Sequence, residues 1–213
     1  MPQRQDVIVF VDWNSQIGNG GQLGEVRPLQ RAQAVAEYVA KSVASCVSTG
    51  TERTLYRVSV RLYYGWYRGL NPTDARIALQ RHLEDGLLPL AVRNVTFDWS
   101  NMFGDLMLDA YDHRRHRKLR VHLPDTLRID LDTGQRSREK MVDTAMACDI
   151  LFSARSDPTC LRIVMSEDDD IVPPVFMAER WAKDKGGKTI LLRDRDAGRF
   201  LLLDGLCRKL ERA

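Results

Sequence analysis

Leu161-Arg162-Ile163-Val164-Met165-Ser166-Glu167-Asp168-Asp169-Asp170-Ile171-Val172-Pro173-Pro174 carries an apolar run straight into four consecutive acids and then into a proline-started helix. A short apolar run, a polar turn and Pro in the first helical turn form a strand–loop–helix signature. The carboxylates are therefore expected at the carboxyl end of a buried strand, where open α/β sheets hold their ligands. Like charges packed so closely repel, and a divalent cation with oxygen ligands offsets that repulsion. The alternative is that one of Asp168 to Asp170 caps the helix while the others sit at the positive end of its dipole. On this stretch alone both readings stand.

Upstream, Val7-Ile8-Val9-Phe10-Val11 is a second apolar run without alternation, which suits a strand covered on both faces, and it ends at Asp12-Trp13-Asn14. The glycine-rich piece 18–24 lacks the spacing and closing Lys-Ser or Lys-Thr of a P-loop and reads as a flexible loop. Pro28 opens a helix through about Cys46, with Leu29, Ala32, Val35, Ala36, Val39 and Val43 at helical spacing. Leu55 to Gly65 alternates as a second strand, and Tyr63, Tyr64, Trp66 and Tyr67 cluster at its exit with Arg61 and Arg68 interleaved. Rings so placed either pack the rim of the sheet or stack unpaired bases. Asn71-Pro72-Thr73-Asp74 starts a helix to about Glu84, and Leu87 to Phe97 supplies a third strand. Strand, helix, strand, helix, strand is the pattern of a parallel sheet with helices on its faces.

Residues 98–138 interrupt that rhythm as a basic excursion. Within it His113-Arg114-Arg115-His116-Arg117-Lys118-Leu119-Arg120 is the strongest charge run of the chain, and 120–123 with 128–131 are expected to form a hairpin around Pro124-Asp125. Such a run is either a solvated face or a cationic flank for a phosphate backbone. Lys140 to Ala154 is a buried helix with Asp143 in its first turn. Asp149 follows Asp143 by six residues, about 240° round and about 9 Å further along, so it is expected in an outer shell or beside a basic residue. After the helix 175–183, Gly186-Gly187 turns the chain into a strand at 188–192, and a closing helix is expected over 199–210.

Over its 213 residues the chain has 44% hydrophobic and 29% charged residues and a net charge of +3, an ordinary composition that permits an anionic partner without demanding one. Cys46, Cys148, Cys160 and Cys207 are scattered without Cys-x-x-Cys spacing, which argues against a zinc site and a disulfide framework. The polar N-terminus followed by only a short apolar run resembles neither a signal peptide nor a membrane span, so a single cytoplasmic domain over 1–213 is expected.

Asp12, Asp143, and Asp168 with Asp170 thus stand at element ends, and they converge if the strands carrying Asp12 and Asp168 are neighbours. An all-carboxylate pocket suits Mg2+ or Mn2+, and such an ion between carboxylates and a phosphodiester supports metal-assisted hydrolysis. Asn14 either orients water or phosphate there or is a turn residue. Val9-Phe10-Val11-Asp12-Trp13-Asn14, Lys140-Met141-Val142-Asp143 with Asp149, and Ile163 to Pro173 resemble, in order and spacing, the three signature blocks of the NYN branch of PIN-like nucleases. Gly186-Gly187-Lys188 is similar to that family's glycine-containing turn. Most of the chain is covered, with 98–138 matching poorly. The resemblance implies a Rossmann-like three-layer α/β sandwich with a mainly parallel sheet, and a divalent-metal-dependent ribonuclease, endonucleolytic by preference. It carries Asp12, Asp143, Asp168 and Asp170 over as catalytic and metal-binding residues. Asn14, Ser166 and Asp149 are expected to support them, and Arg114, Arg115, Arg117, Lys118, Tyr64 and Trp66 to contact nucleic acid. Where the family has two glycines in its Ser-Gly-Asp-Gly-Asp-Phe block, this chain has Glu167 and Asp169; Ile171 stands for the aromatic residue, and Trp13 fills a position often small.

The competing expectation is a non-catalytic adaptor for nucleic acid or protein, which keeps the fold and uses the basic run and the aromatic cluster. A covalent phosphatase is disfavoured, because Asp12-Trp13-Asn14 lacks the Asp-x-Asp nucleophile motif. RNA is the expected partner, with DNA and self-association left open.

Overall fold

A computed structural model describes residues 3–19, 28–48, 54–105, 108, 126–129, 137–193 and 207–209. The run that opens the chain becomes β1 (Gln3–Asp12), and Asp12 leads directly into α1 (Trp13–Asn19) and then α2 (Pro28–Val47). β2 (Thr54–Tyr63) pairs parallel with β1 along its whole length, from Gln3 opposite Thr54 to Asp12 opposite Tyr63. A two-residue ribbon, β3 (Tyr67–Arg68) and β4 (Asn71–Pro72), precedes α3 (Asp74–Glu84). The expected third strand is instead a tight hairpin of β5 (Ala91–Val92) and β6 (Val95–Asp98). Arg93 takes a left-handed φ of 56° at its turn, a reversal that the apolar content of 87–97 hides.

A second small ribbon joins β7 (Leu127–Ile129) to β8 (Ser137–Glu139). Residues 128–129 thus pair with 137–138; the expected partner stretch 120–123 lies outside the described residues, as does the basic run. The chain continues through α4 (Val142–Ser156), β9 (Leu161–Met165), a 3-10 turn at Asp169–Ile171, α5 (Val172–Lys183), β10 (Lys188–Arg193) and β11 (Cys207–Lys209). Cys207–Lys209 is therefore a strand parallel to β10, not part of a closing helix; 199–206 and 210 lie outside the described residues.

Among the described residues the large sheet has seven strands in the order β11-β10-β9-β1-β2-β6-β5, all parallel except β5. Its two faces follow from the pleat of β1. Val7, Val9 and Val11 point into one core, shared with Val35, Ala36, Val39, Ala40 and Val43 of α2. Phe10 points into the other, with Val142, Met146 and Ile150 of α4 and Val175 and Ala178 of α5. Helices therefore cover both faces, which explains why β1 reads as a continuous apolar run. The small side chains of α2 let it lie close to the sheet, and each buried valine there contributes about 1.5–3 kcal/mol. Gly187 meets a harder constraint, because a Cβ there would overlap the Pro158 carbonyl oxygen.

From β1 the chain moves outward through β2 to β6, then returns to lay β9 on the opposite edge of β1 and moves outward again through β10. The order reverses between β1 and β9. In an open parallel sheet such a switch point leaves a crevice outside the carboxyl ends of the two strands, because their connections depart to opposite sides.

Candidate carboxylate site

At that switch point Val11 lies opposite Met165, so Asp12 and the turn beginning at Ser166 leave the sheet side by side. Asp12 is nearly buried and is held by four donors. Its Oδ1 accepts the Asn14 N–H at 3.1 Å and the Ser15 N–H at 3.3 Å, an N-cap for α1. Its Oδ2 accepts the hydroxyls of Ser15 and, at 3.0 Å, Ser166. The Ser166 hydroxyl in turn accepts the Asp168 N–H at 3.1 Å, and the Ser15 hydroxyl accepts the Glu167 N–H at 3.2 Å. Two serines thus tie the β1 exit to the β9 exit.

Beyond Ser166, Asp168 caps the 3-10 turn, its Oδ1 accepting the Asp170 N–H at 2.9 Å. The capping reading and the placement at the site both apply to this residue. Asp168 and Asp170 remain exposed. Of the acids that stand where the resembling family has glycine, Asp169 is drawn off by Arg193, whose Nη1 donates to Oδ1 at 2.7 Å, while its Nη2 holds the Asp168 carbonyl. That anchor spends the Asp169 charge on a cation from β10. Trp13 is 1% exposed and packs into the core on the α2 side, so it does not stand among the acids.

Asp143 projects from the first turn of α4. Burial raises its pKa first, and the charges of Asp12, Asp168 and Asp170 raise it further. Asp143 therefore lies within electrostatic reach of the other three predicted acids. A fifth, Glu139 at the end of β8, was not among the sequence candidates. Its Oε1 accepts the Gly65 N–H at 2.7 Å, and the Asn14 side chain also bonds to it. Burial pushes Glu139 up to about 7, with Asp12 and Asp143 adding repulsion against the opposing hydrogen bonds of Gly65 and Asn14. Between Glu139 and Asp143, Met141 adopts a left-handed φ of 65° and makes the corner from β8 into α4. The available signal, an acid four residues before Asp143, is weak. What brings Glu139 in is the β7–β8 ribbon together with a backbone donor, Gly65, that is distant in sequence.

Asn14 bridges two acids, donating its N–H to Asp12 and its side chain to Glu139, and so has more than a turn role. Asp149 is excluded from the site. It is fully buried, and its Oδ2 accepts Arg61 Nη2 at 2.9 Å and the Tyr63 hydroxyl at 2.6 Å, while its Oδ1 accepts the Leu108 N–H at 2.8 Å. It is the partner of a basic residue beneath the sheet surface. Trp66 is corrected as well. At 1% exposure, with its indole N–H on the Leu62 carbonyl at 3.0 Å and its ring against Trp13, Tyr64 and Phe103, it has no face to offer a base. Tyr64 is only half-buried. Arg114, Arg115, Arg117 and Lys118 lie outside the described residues.

The donor set of Asp12, Glu139, Asp143, Asp168 and Asp170 is all oxygen, without Cys or His, which is the chemistry of Mg2+ or Mn2+. Among the described residues no three acids, histidines or cysteines are already drawn together around one ion position. Burial is the larger cause of the raised Asp143 and Glu139, and the repulsion that adds to it is the feature a divalent cation would relieve. Among the described residues no helix is long and apolar enough to cross a membrane. No protein family, curated protein or solved structure matches this chain.

Proposed function

We propose that the chain is a divalent-metal-dependent ribonuclease of the PIN-like, NYN type, hydrolysing RNA phosphodiesters at the β1–β9 switch point. One observation carries this reading: acids from β1, β8, α4 and the β9 turn lie near the carboxyl ends of the adjacent parallel strands β1 and β9, close enough that their charges add to burial in raising Asp143 and Glu139. Asp12, Asp143, Asp168 and Asp170 would hold Mg2+ or Mn2+, with Glu139 as a further oxygen donor. When bound, the cation supplies activation of water and neutralisation of the departing oxygen. The chain itself supplies orientation. Ser15 and Ser166 hold Asp12 in one rotamer, Asn14 holds Glu139 relative to Asp12, and Arg193 fixes the turn that presents Asp168 and Asp170. Glu139, pushed up by burial to about 7, would give up its proton to serve as the further oxygen donor.

The test is incubation of the protein with single-stranded RNA, hairpin RNA and matched DNA, with Mn2+, Mg2+ or chelator, beside Asp12→Asn combined with Asp168→Asn. Metal-dependent RNA cleavage is expected, falling at least about a hundredfold in the variant. If both proteins bind RNA and neither cleaves it, the adaptor reading replaces this one.

A further inference from the structure

A cavity of about 460 Å³ opens beside the acids, between the exit of β2, the start of α2 and the start of α3. Its lining includes Trp13, Arg31, Tyr64, Arg68, Asn71 and Ala75, and none of the five site acids. The two features share a wall. Tyr64 lies within electrostatic reach of Glu139 on one side and Arg31 on the other, and the next residue, Gly65, donates to Glu139. Trp13, at the floor, directly follows Asp12.

The volume falls within the ~300–1,000 Å³ of small-ligand sites, large enough for one nucleotide and too small for a duplex. Its chemistry is that of a nucleotide receptor. Tyr64, half-buried above the core-packed Trp13, offers aromatic surface for a base, the exposed amide of Asn71 can bond a base edge, and Arg31 and Arg68 place positive charge where a phosphate would sit. The lining also holds one carboxylate, Asp74, so two guanidiniums face one acid here against five acids next door, and an anionic strand is drawn to the cavity and repelled by the acids until a cation is present.

We propose that this cavity receives one unpaired nucleotide of the RNA next to the phosphate that is cut, which makes the enzyme selective for single-stranded substrate. The proposal rests on the ribonuclease reading, and it is tested by equilibrium binding, so that the two can fail separately. The probes are the four nucleoside 5′-monophosphates, ribose 5-phosphate and inorganic phosphate, titrated in chelator into the wild type, Arg68→Ala, Ala75→Trp and Asp143→Asn. Unfolding temperatures serve to confirm that each variant is folded. At least one monophosphate is expected to bind about tenfold tighter than ribose 5-phosphate, since a stacked base contributes on that scale. Arg68→Ala and Ala75→Trp are each expected to weaken it about tenfold, whereas Asp143→Asn should not weaken it. In cleavage, Ala75→Trp should raise KM for single-stranded RNA more than it lowers kcat. Monophosphates that bind no better than ribose 5-phosphate, or binding indifferent to Ala75→Trp, would overturn the proposal while leaving metal-dependent cleavage intact. Binding as expected in a protein that cleaves nothing would retain the cavity's role and remove the nuclease.

Discussion

Two buried or half-buried acids, Asp149 and Glu139, have opposite fates. Asp149 is fully buried but answered by Arg61, Tyr63 and a backbone N–H, so its charge is structural. Asp149→Asn leaves the Arg61 guanidinium without its counter-charge in the core and is expected to cost about 3–5 kcal/mol in denaturant unfolding, while Asp143→Asn costs nothing comparable. Burial, with the charges of Asp12 and Asp143 added, outweighs the two hydrogen bonds that Glu139 accepts and pushes it from the ordinary 4.5 up to about 7. Between those values the folded state binds more protons than the unfolded one. Stability contributed by protonated Glu139 is thus complete below about pH 4.5 and lost as pH rises through about 7. The loss is at most about 3 kcal/mol, and Glu139→Gln should flatten that part of the stability profile. Because a cation must displace that proton, Mn2+ affinity should rise between about pH 6 and 8 in the wild type and much less in Glu139→Gln.

Among the elements, those with strong local signals were legible and those set by long-range pairing were not. β1, α2, α3, α4 and β9 follow from apolar periodicity and from their caps and prolines, and β1, α4 and the exit of β9 carry the four predicted acids to the site. The Arg93 reversal depends on a left-handed residue and the placing of Glu139 on a backbone donor, Gly65, far back in the chain, and Glu139 was missed for that reason. Burial likewise separated Trp66 from Tyr64, which the aromatic cluster alone could not do. The Met141 corner gives a test at this scale. A β-branched side chain is poorly tolerated at φ 65°, so Met141→Ile should destabilise by about 1–3 kcal/mol, whereas Met141→Gly relieves the left-handed conformation. Arg193→Met should loosen the Asp168–Asp170 turn and weaken Mn2+ binding about 10–100-fold with little change in overall secondary structure, as seen by calorimetry beside circular dichroism.

For the molecule as a whole, the order of strands places the acids together. Adjacent parallel strands with connections leaving in opposite directions create the crevice, and Asp12 and Asp168 stand at its two lips. The neighbouring nucleotide-sized cavity, lined by arginines and aromatics, gives that acidic crevice a complementary cationic flank among the described residues. Calorimetric titration of Mn2+ into the wild type and into Asp12→Asn combined with Asp143→Asn tests the central claim most directly. The account predicts one or two bound ions, proton release on binding, and stabilisation of about 2.7 kcal/mol at a hundredfold excess over Kd, all lost in the variant. Wild-type protein that takes up no Mn2+ at millimolar concentration, or a variant that binds it equally well, would contradict it.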